Sequence, residues 1–215
     1  MDDAGRGCVI GPLVVAGVLM NEEDIPILGS LGVRDSKKLT PRQREILAGE
    51  IRRVALKCCV RVVPPNQIDE VVTRGVKLRR LNWLEARVMA EVISELKPDV
   101  AYVDASDVVA ERFGQQIVEF IPSGIKVISE HNADAKYVVV SAASIIAKTE
   151  RDSEIAKLRR EYGDFGSGYP SDERTIQFLR MWLKRHGSYP DFVRKSWETA
   201  KKLMREVGEK QTRLM

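Results

Sequence analysis

Cysteine is scarce in this chain: there are three in 215 residues, Cys8, Cys58 and Cys59. They form no CxxC spacing, and the neighbours Cys58 and Cys59 cannot face the same way in a strand. Buried thiols in a reducing cytoplasm are therefore predicted, rather than disulfides or a zinc site. Long apolar runs are also missing. The longest mostly apolar stretch, residues 8–20, contains Gly11, Pro12 and Gly17. It is too short to cross a bilayer. No basic-then-apolar leader precedes a small-residue cleavage site, so secretion is not expected and a cytoplasmic location without a membrane partner is. The chain has no P-loop, no GxGxxG and no nucleophile elbow, which removes P-loop phosphate chemistry, dinucleotide binding and Ser-His-Asp chemistry.

What is present is a chain that is 44% hydrophobic and 31% charged. That composition argues against wholesale disorder and suits one large domain, or one domain with a small helical appendage. The formal net charge is +4, unevenly spread: residues 1–147 hold 19 Lys/Arg against 20 Asp/Glu, and residues 148–215 hold 16 against 11. A polyanion-binding face would put its basic surplus in one region in this way, although a solvated helical surface would give the same count.

The N-terminus carries the sharpest signal. Asp2 and Asp3 stand side by side and run into Ala4-Gly5-Arg6-Gly7. Adjacent carboxylates repel, and burying them together is costly unless a cation or a proton sits between them. A glycine-flanked arginine behind them offers backbone N–H groups and a fixed positive charge, which suits a phosphate. The bland alternative is an exposed, charged terminus.

Residues 13–20 read as a buried strand. Residues 35–38 form a polar loop. Thr40, Pro41 and Gln43 open a helix with a capping box. Residues 56–63 are a strand stopped by Pro64-Pro65, and Asn66 caps a short helix. A longer helix follows over residues 78–96, with Leu81, Leu84, Val88, Val92 and Leu96 at helical spacing. Residues 100–104 are a strand ending in Asp104, residues 108–121 a helix and residues 125–129 a strand. Asp134 opens a long helical segment over residues 137–162. A glycine-rich loop over residues 163–170 precedes a helix capped by Ser171 and ended by Gly187. A final basic helix covers residues 191–207. Strands at the front, alternation in the middle and helices at the back predict an α/β layered domain over residues 1–162 with a helical extension over residues 163–215.

Asp2, Asp3, Asp104 and Asp134 thus sit at strand ends or a helix start, where α/β sheets gather their sites. Converging there, they would bind two hard cations and serve hydrolysis of a phosphodiester. Taken alone, Asp104 is a strand-end turn residue and Asp134 a helix cap; the metal reading rests on all four. His131, three residues before Asp134, reads either as a proton shuttle or as a polar loop residue, the second being favoured, and His186 as a helix C-terminal cation.

These residues also resemble a known family. Asp2-Asp3-Ala4-Gly5-Arg6-Gly7 followed by Gly11-Pro12-Leu13-Val14-Val15-Ala16 is similar to the opening of ribonuclease HII. The segments at residues 35–39, 102–104, 130–134, 141–148 and 166–172 resemble its later blocks, in order. The resemblance spans nearly the whole chain and is closest to archaeal members. It implies an RNase H-like fold, with a central mixed sheet flanked by helices and a helical C-terminal part that binds substrate. It implies a metal-dependent endoribonuclease that hydrolyses the RNA strand of RNA–DNA hybrids and incises at ribonucleotides embedded in duplex DNA. Two divalent ions, Mg²⁺ or Mn²⁺, would assist, and the ends left would be 3′-OH and 5′-phosphate.

By position, Asp2, Asp3, Asp104 and Asp134 match the family's catalytic, metal-binding acids. The backbone around Gly5-Arg6-Gly7 matches the loop that senses the ribose 2′-OH, the group that separates RNA from DNA. Tyr169 matches the tyrosine that packs on the sugar after the ribonucleotide. Lys37, Lys38, Lys148 and Arg151 are candidates for phosphate contacts, with Arg194 and Lys195 as weaker ones. A monomer is expected. Archaeal members often carry a tail that docks on the sliding clamp; residues 211–215 have its glutamine and one aliphatic residue but lack the aromatic pair, a poor match.

Two departures stand out. The family has glutamate where this chain has Asp3, one methylene shorter. It also has apolar residues before the acid pair, where this chain has Met1 alone. The competing expectations are a catalytically weakened hybrid-binding protein and a metal phosphatase on small molecules, the latter disfavoured by the basic last third.

Overall fold

The computed structural model describes residues 1–33, 39–74 and 80–212, without the side chains of residues 80 and 209–212. Lys37 and Lys38 lie outside the described residues, as does the polar loop at 35–38.

The run LVVAGVL has no polar face, so a strand built from it must be covered on both sides. It forms β2 (Leu13–Leu19), which lies between β1 (Asp2–Ala4) and β3 (Lys57–Val63) and is antiparallel to both. The pleat sends alternate residues to opposite faces. Leu13 and Val15 enter a core with Val88, Val92 and Ile93 of α4 (Arg80–Leu96). Val14, Ala16 and Val18 enter a second core with Ala142, Ile145 and Ile146 of α7 (Val138–Tyr162) and Ile51 of α2 (Pro41–Val54). The same pleat splits the cysteine pair on β3: Cys59 joins the first core and Cys58 packs against the second, both as free thiols.

A second ladder pairs β4 (Val100–Asp104) with β5 (Lys126–Glu130) in parallel, and α5 (Ala110–Val118) makes the crossover. Two hydrogen bonds stitch the ladders together. The Met1 ammonium donates to the Tyr102 carbonyl at 2.8 Å. The Asp104 amide donates to the Met1 carbonyl at 3.2 Å. The strands therefore run β5-β4-β1-β2-β3, a mixed sheet between helical layers, and β1 is the seam. Asp104 ends its strand beside Asp2 and Asp3 for this reason.

The remaining helices are α1 (Ile25–Ser30), α3 (Pro65–Arg74), the short α6 (Ala133–Lys136), α8 (Glu173–His186) and α9 (Glu198–Thr212). A third core joins α8 and α9 to the N-terminal loop through Val9, Ile10, Phe165, Leu179 and Leu203.

The capping box on α2 forms: Thr40 Oγ1 accepts from the Gln43 amide, and Gln43 Oε1 accepts from the Thr40 amide at 2.8 Å. Several boundaries differ from expectation. The cap of α8 is Asp172, not Ser171, because its carboxylate accepts from the Arg174 amide at 3.0 Å. Asn66 lies inside the first turn of α3, since Pro65 already takes the first helical position. Asp134 sits on α6, separated from α7 by the extended Tyr137. The last helix starts at Glu198, because residues before it are drawn off by tertiary contacts: the Arg194 amide donates to the Val9 carbonyl, and Asp69 accepts from the Lys195 and Ser196 amides.

Candidate active site

Strand β1 supplies the first two acids, and its pleat points them to opposite faces. Asp2 turns towards α7, where the Ser144 hydroxyl bonds it and its own Oδ1 accepts from the Asp3 amide at 2.7 Å. Asp3 turns towards α4 and accepts from Ser106 Oγ at 3.3 Å. Burial pushes the Asp2 carboxyl up to about 7, helped by the charges of Asp3 and Asp104 and opposed by the Ser144 and Asp3 amide bonds. Burial raises Asp3 as well, against the pull of Arg6. The Met1 ammonium is lowered to about 6, mainly by burial, while Asp2 and Asp104 pull it back up.

Asp104, at the end of β4, accepts from the Ala133 amide at 2.8 Å through Oδ1. Asn132 makes this contact reachable. Its left-handed backbone, φ 54°, turns the chain from β5 into α6. Asp134 follows Ala133 directly and is buried. Asp104 thus raises both Asp2 and Asp3, and Asp104 and Asp134 are tied to the same turn. Among the described residues no three His, Cys, Asp or Glu side chains already converge on one point. The donor set nevertheless suits a hard divalent cation. It consists of oxygens alone, and Asp104 disfavours the charge of Asp2 and Asp3, a cost that a cation removes.

Beyond Asp3 the chain turns through Gly5-Arg6-Gly7. Gly5 has φ 84°, and a Cβ there would stand 2.6 Å from the Pro12 carbonyl oxygen, so glycine is required. Arg194 moulds the loop from below. Fully buried, it donates to the carbonyls of Gly5 at 2.7 Å, Arg6 at 2.8 Å and Gly11 at 3.1 Å. This corrects the expectation that Arg194 contacts phosphate. Its guanidinium is consumed by backbone carbonyls, and Lys195 pairs with Asp191 at 3.2 Å.

The glycine-rich loop before α8 docks on the same segment: the Gly168 carbonyl accepts from the Val9 and Ile10 amides at 2.8 and 3.1 Å. It thereby brings Tyr169 beside Gly7 and over the Arg151 guanidinium, 4.8 Å from the ring centroid. Arg151 is itself buried and donates to the Ser167 carbonyl at 2.8 Å.

The result is a cleft of about 480 Å³ lined by Asp3, Gly5, Arg6, Gly7, Lys148, Arg151 and Tyr169, residues that span most of the chain. His131 stands outside it, exposed, with Nε2 3.2 Å from the Val108 carbonyl. Residues without a sequence signal complete the site. Arg44 lines the cleft and pairs with Asp152 at 2.7 Å. Glu85 is fully buried between Arg6 and Asp3, and burial, with the Asp3 charge, holds its carboxyl well above the usual range. A glutamate among the apolar positions of a helix is the one hint that the sequence offers for it.

Among the described residues no helix is long and apolar enough to cross a membrane. The family model for Ribonuclease HII matches residues 1–200. A ribonuclease HII of Pyrococcus abyssi is 50% identical over 204 residues, 94% of this chain and 88% of that protein. The crystal structure of ribonuclease H2 from Pyrococcus horikoshii superposes with a TM-score of 0.89 at 45% identity, covering 97% of each chain. The structure of Archaeoglobus fulgidus RNase HII, solved in complex with PCNA, gives 0.83 at 47% identity over 94% of each chain.

Proposed function

The chain belongs to the ribonuclease HII family of metal-dependent endoribonucleases, and from that premise we propose that it cleaves the RNA strand of RNA–DNA hybrids and incises at single ribonucleotides in duplex DNA. The observation that carries this reading is the cleft itself: the carboxylate Asp3, the glycine-flanked loop and the cations Lys148 and Arg151 share one surface.

In this reading Asp2, Asp3, Asp104 and Asp134 hold two divalent ions, Mg²⁺ or Mn²⁺. Bound there, such ions activate water and stabilise the charge that develops on the transferring phosphoryl group. The protein's own part is positioning. The backbone of Gly5–Gly7 reads the ribose 2′-OH, which DNA lacks. Tyr169, its ring fixed by Arg151, packs on the following sugar. Lys148 and Arg151 neutralise phosphates, and the helical part over residues 163–215 extends the grip. The products are a 3′-OH and a 5′-phosphate. Nothing favours a hybrid-binding protein without cleavage.

The test is cleavage of an end-labelled duplex carrying one ribonucleotide, with Mg²⁺, with Mn²⁺ and with chelator. We expect cleavage at the ribonucleotide only with metal. Asp104→Asn, if folded, should reduce the rate by about 100-fold or more, the usual cost of removing one electrostatic contact to a phosphoryl transition state. A metal-independent rate, or an active Asp104→Asn, would sink the assignment.

A further inference from the structure

Arg6 is the one charged residue in the glycine-flanked loop, and its side chain does not simply reach into solvent. Nε stands 3.1 and 2.9 Å from the two carboxylate oxygens of Glu85. Nη2 donates to Asn82 Oδ1 at 2.7 Å. Asn82 and Glu85 are three residues apart on α4, so they share one face of that helix. Two partners on different nitrogens fix a planar guanidinium in both position and tilt.

Asn82 is fixed in turn. Its Nδ2 donates to Asp107 Oδ2 at 2.9 Å. Asp107, in the turn after β4, is buried and receives the Val109 amide at 2.9 Å and the Arg112 guanidinium. Burial pushes the Asp107 carboxyl up, but the hydrogen bonds from Arg112, Val109 and Asn82 outweigh it and hold it at about 2. A charged Asp107 can only accept, so it orients the Asn82 amide with the oxygen towards Arg6. The loop is therefore gripped from two sides: Arg194 holds its carbonyls, and α4 holds its side chain.

We propose that Asn82, oriented by Asp107, is a positioning residue that, with Glu85, clamps Arg6 and thereby sets the backbone of Gly5–Gly7 for recognition of a ribonucleotide. This rests on the reading that this loop meets the ribose. The Arg6 charge also favours ionised Asp3, so a loss confined to metal binding would weaken cleavage without changing the preference for a ribonucleotide. A 2′-OH, in contrast, is read by backbone atoms whose placement that side chain controls.

A polarity swap tests it. Asn82→Asp sets a carboxylate against Asp107, and Asp107→Asn replaces a group that can only accept with an amide that can meet Asn82 through either its oxygen or its NH2. Each keeps an oxygen for Arg6 but loses the enforced donor-to-acceptor direction of the orienting bond. The double variant Asn82→Asp/Asp107→Asn restores the bond with donor and acceptor exchanged. Cleavage of the single-ribonucleotide duplex and binding of that duplex against an all-DNA duplex are measured for all four proteins, with melting curves. Each single variant should lose about tenfold in kcat/KM, chiefly through KM, and lose ribonucleotide preference in binding by a similar factor, as for one buried hydrogen bond. The double variant should recover to within about threefold of wild type.

Single variants with wild-type preference, or a double variant as poor as the product of the singles, would overturn the proposal. Where a single variant melts lower and binds both duplexes alike, Asn82→Ala, which removes the grip without adding charge, decides: lost preference supports the clamp, and wild-type preference overturns it. Failure of wild type to cleave at all would instead sink the assigned activity.

Discussion

At the residue scale the site is a collection of charges held at a cost. Asp2 shows it most plainly. Its carboxyl is raised to about 7, from 3.8, by burial and by neighbouring carboxylates. A raised acid takes up protons on folding, so the stability it permits is complete below pH 4 and is lost as pH rises towards 7. For metal-free protein we expect stability to fall across pH 4–6, by up to the order of 3 kcal/mol if Asp2 alone set it. Above pH 6 the lowered Met1 ammonium works the other way, since its folded form prefers to be neutral. Urea titrations at pH 4, 5 and 6 check this, and saturating Mg²⁺ should flatten the slope by favouring the ionised carboxylates. A metal-free protein that gained stability over this range would refute the account. Asp2 and Asp3 are legible as a pair from sequence; that they point to opposite faces follows from the strand pleat once they lie in β1. Arg194 is not legible. Nothing local distinguishes an arginine that serves three carbonyls from one that serves phosphate.

At the scale of elements, local rules account for what local chemistry controls. The box Thr40-x-x-Gln43 starts α2 as its residues predict, because both its hydrogen bonds lie within one turn. Thr40→Ala should therefore cost about 1 kcal/mol, an ordinary N-cap loss, with little effect on cleavage; thermal melting and the duplex assay separate the two. A loss of several kcal/mol would mean that Thr40 does more than cap. Sequence and structure part where long-range contacts decide. The sequence predicts the last helix from residue 191, but the segment before Glu198 is bound to Val9 and Asp69, more than 100 positions away. The predicted single opening at Asp134 is broken because α6 must bring Ala133 to Asp104.

At the scale of the whole molecule, the seam at β1 governs both fold and site. Asp2 pairs with Ala16, so Gly17–Leu19 of β2 extend past the start of β1. On the other side Val100 and Ala101 of β4 precede the Met1 contact at Tyr102. A groove of about 920 Å³ lies there, lined by Val18, Leu19, Ile93, Leu96, Val100 and Ala101 among others. Three apolar residues added before Met1 would continue β1 between the two strands and replace a buried ammonium with an amide. We expect such a variant to melt higher, by about 2–4 °C for each kcal/mol gained, and to cleave faster because β1 carries Asp2 and Asp3. Equal melting and equal rates would show that the seam is already secure.

The sequence by itself determined the family, the strand that must be buried on both faces, the capping box and which acids to suspect. Each of these is written in residues that are neighbours in the chain or stand in ordered blocks along it. Only the tertiary structure decided that Asp104 and Asp134 share a turn, that Arg194 is structural, and that Asn82, Glu85 and Asp107 hold Arg6. Those contacts join segments up to 189 positions apart, and no helical or strand period records which distant side chain closes a loop.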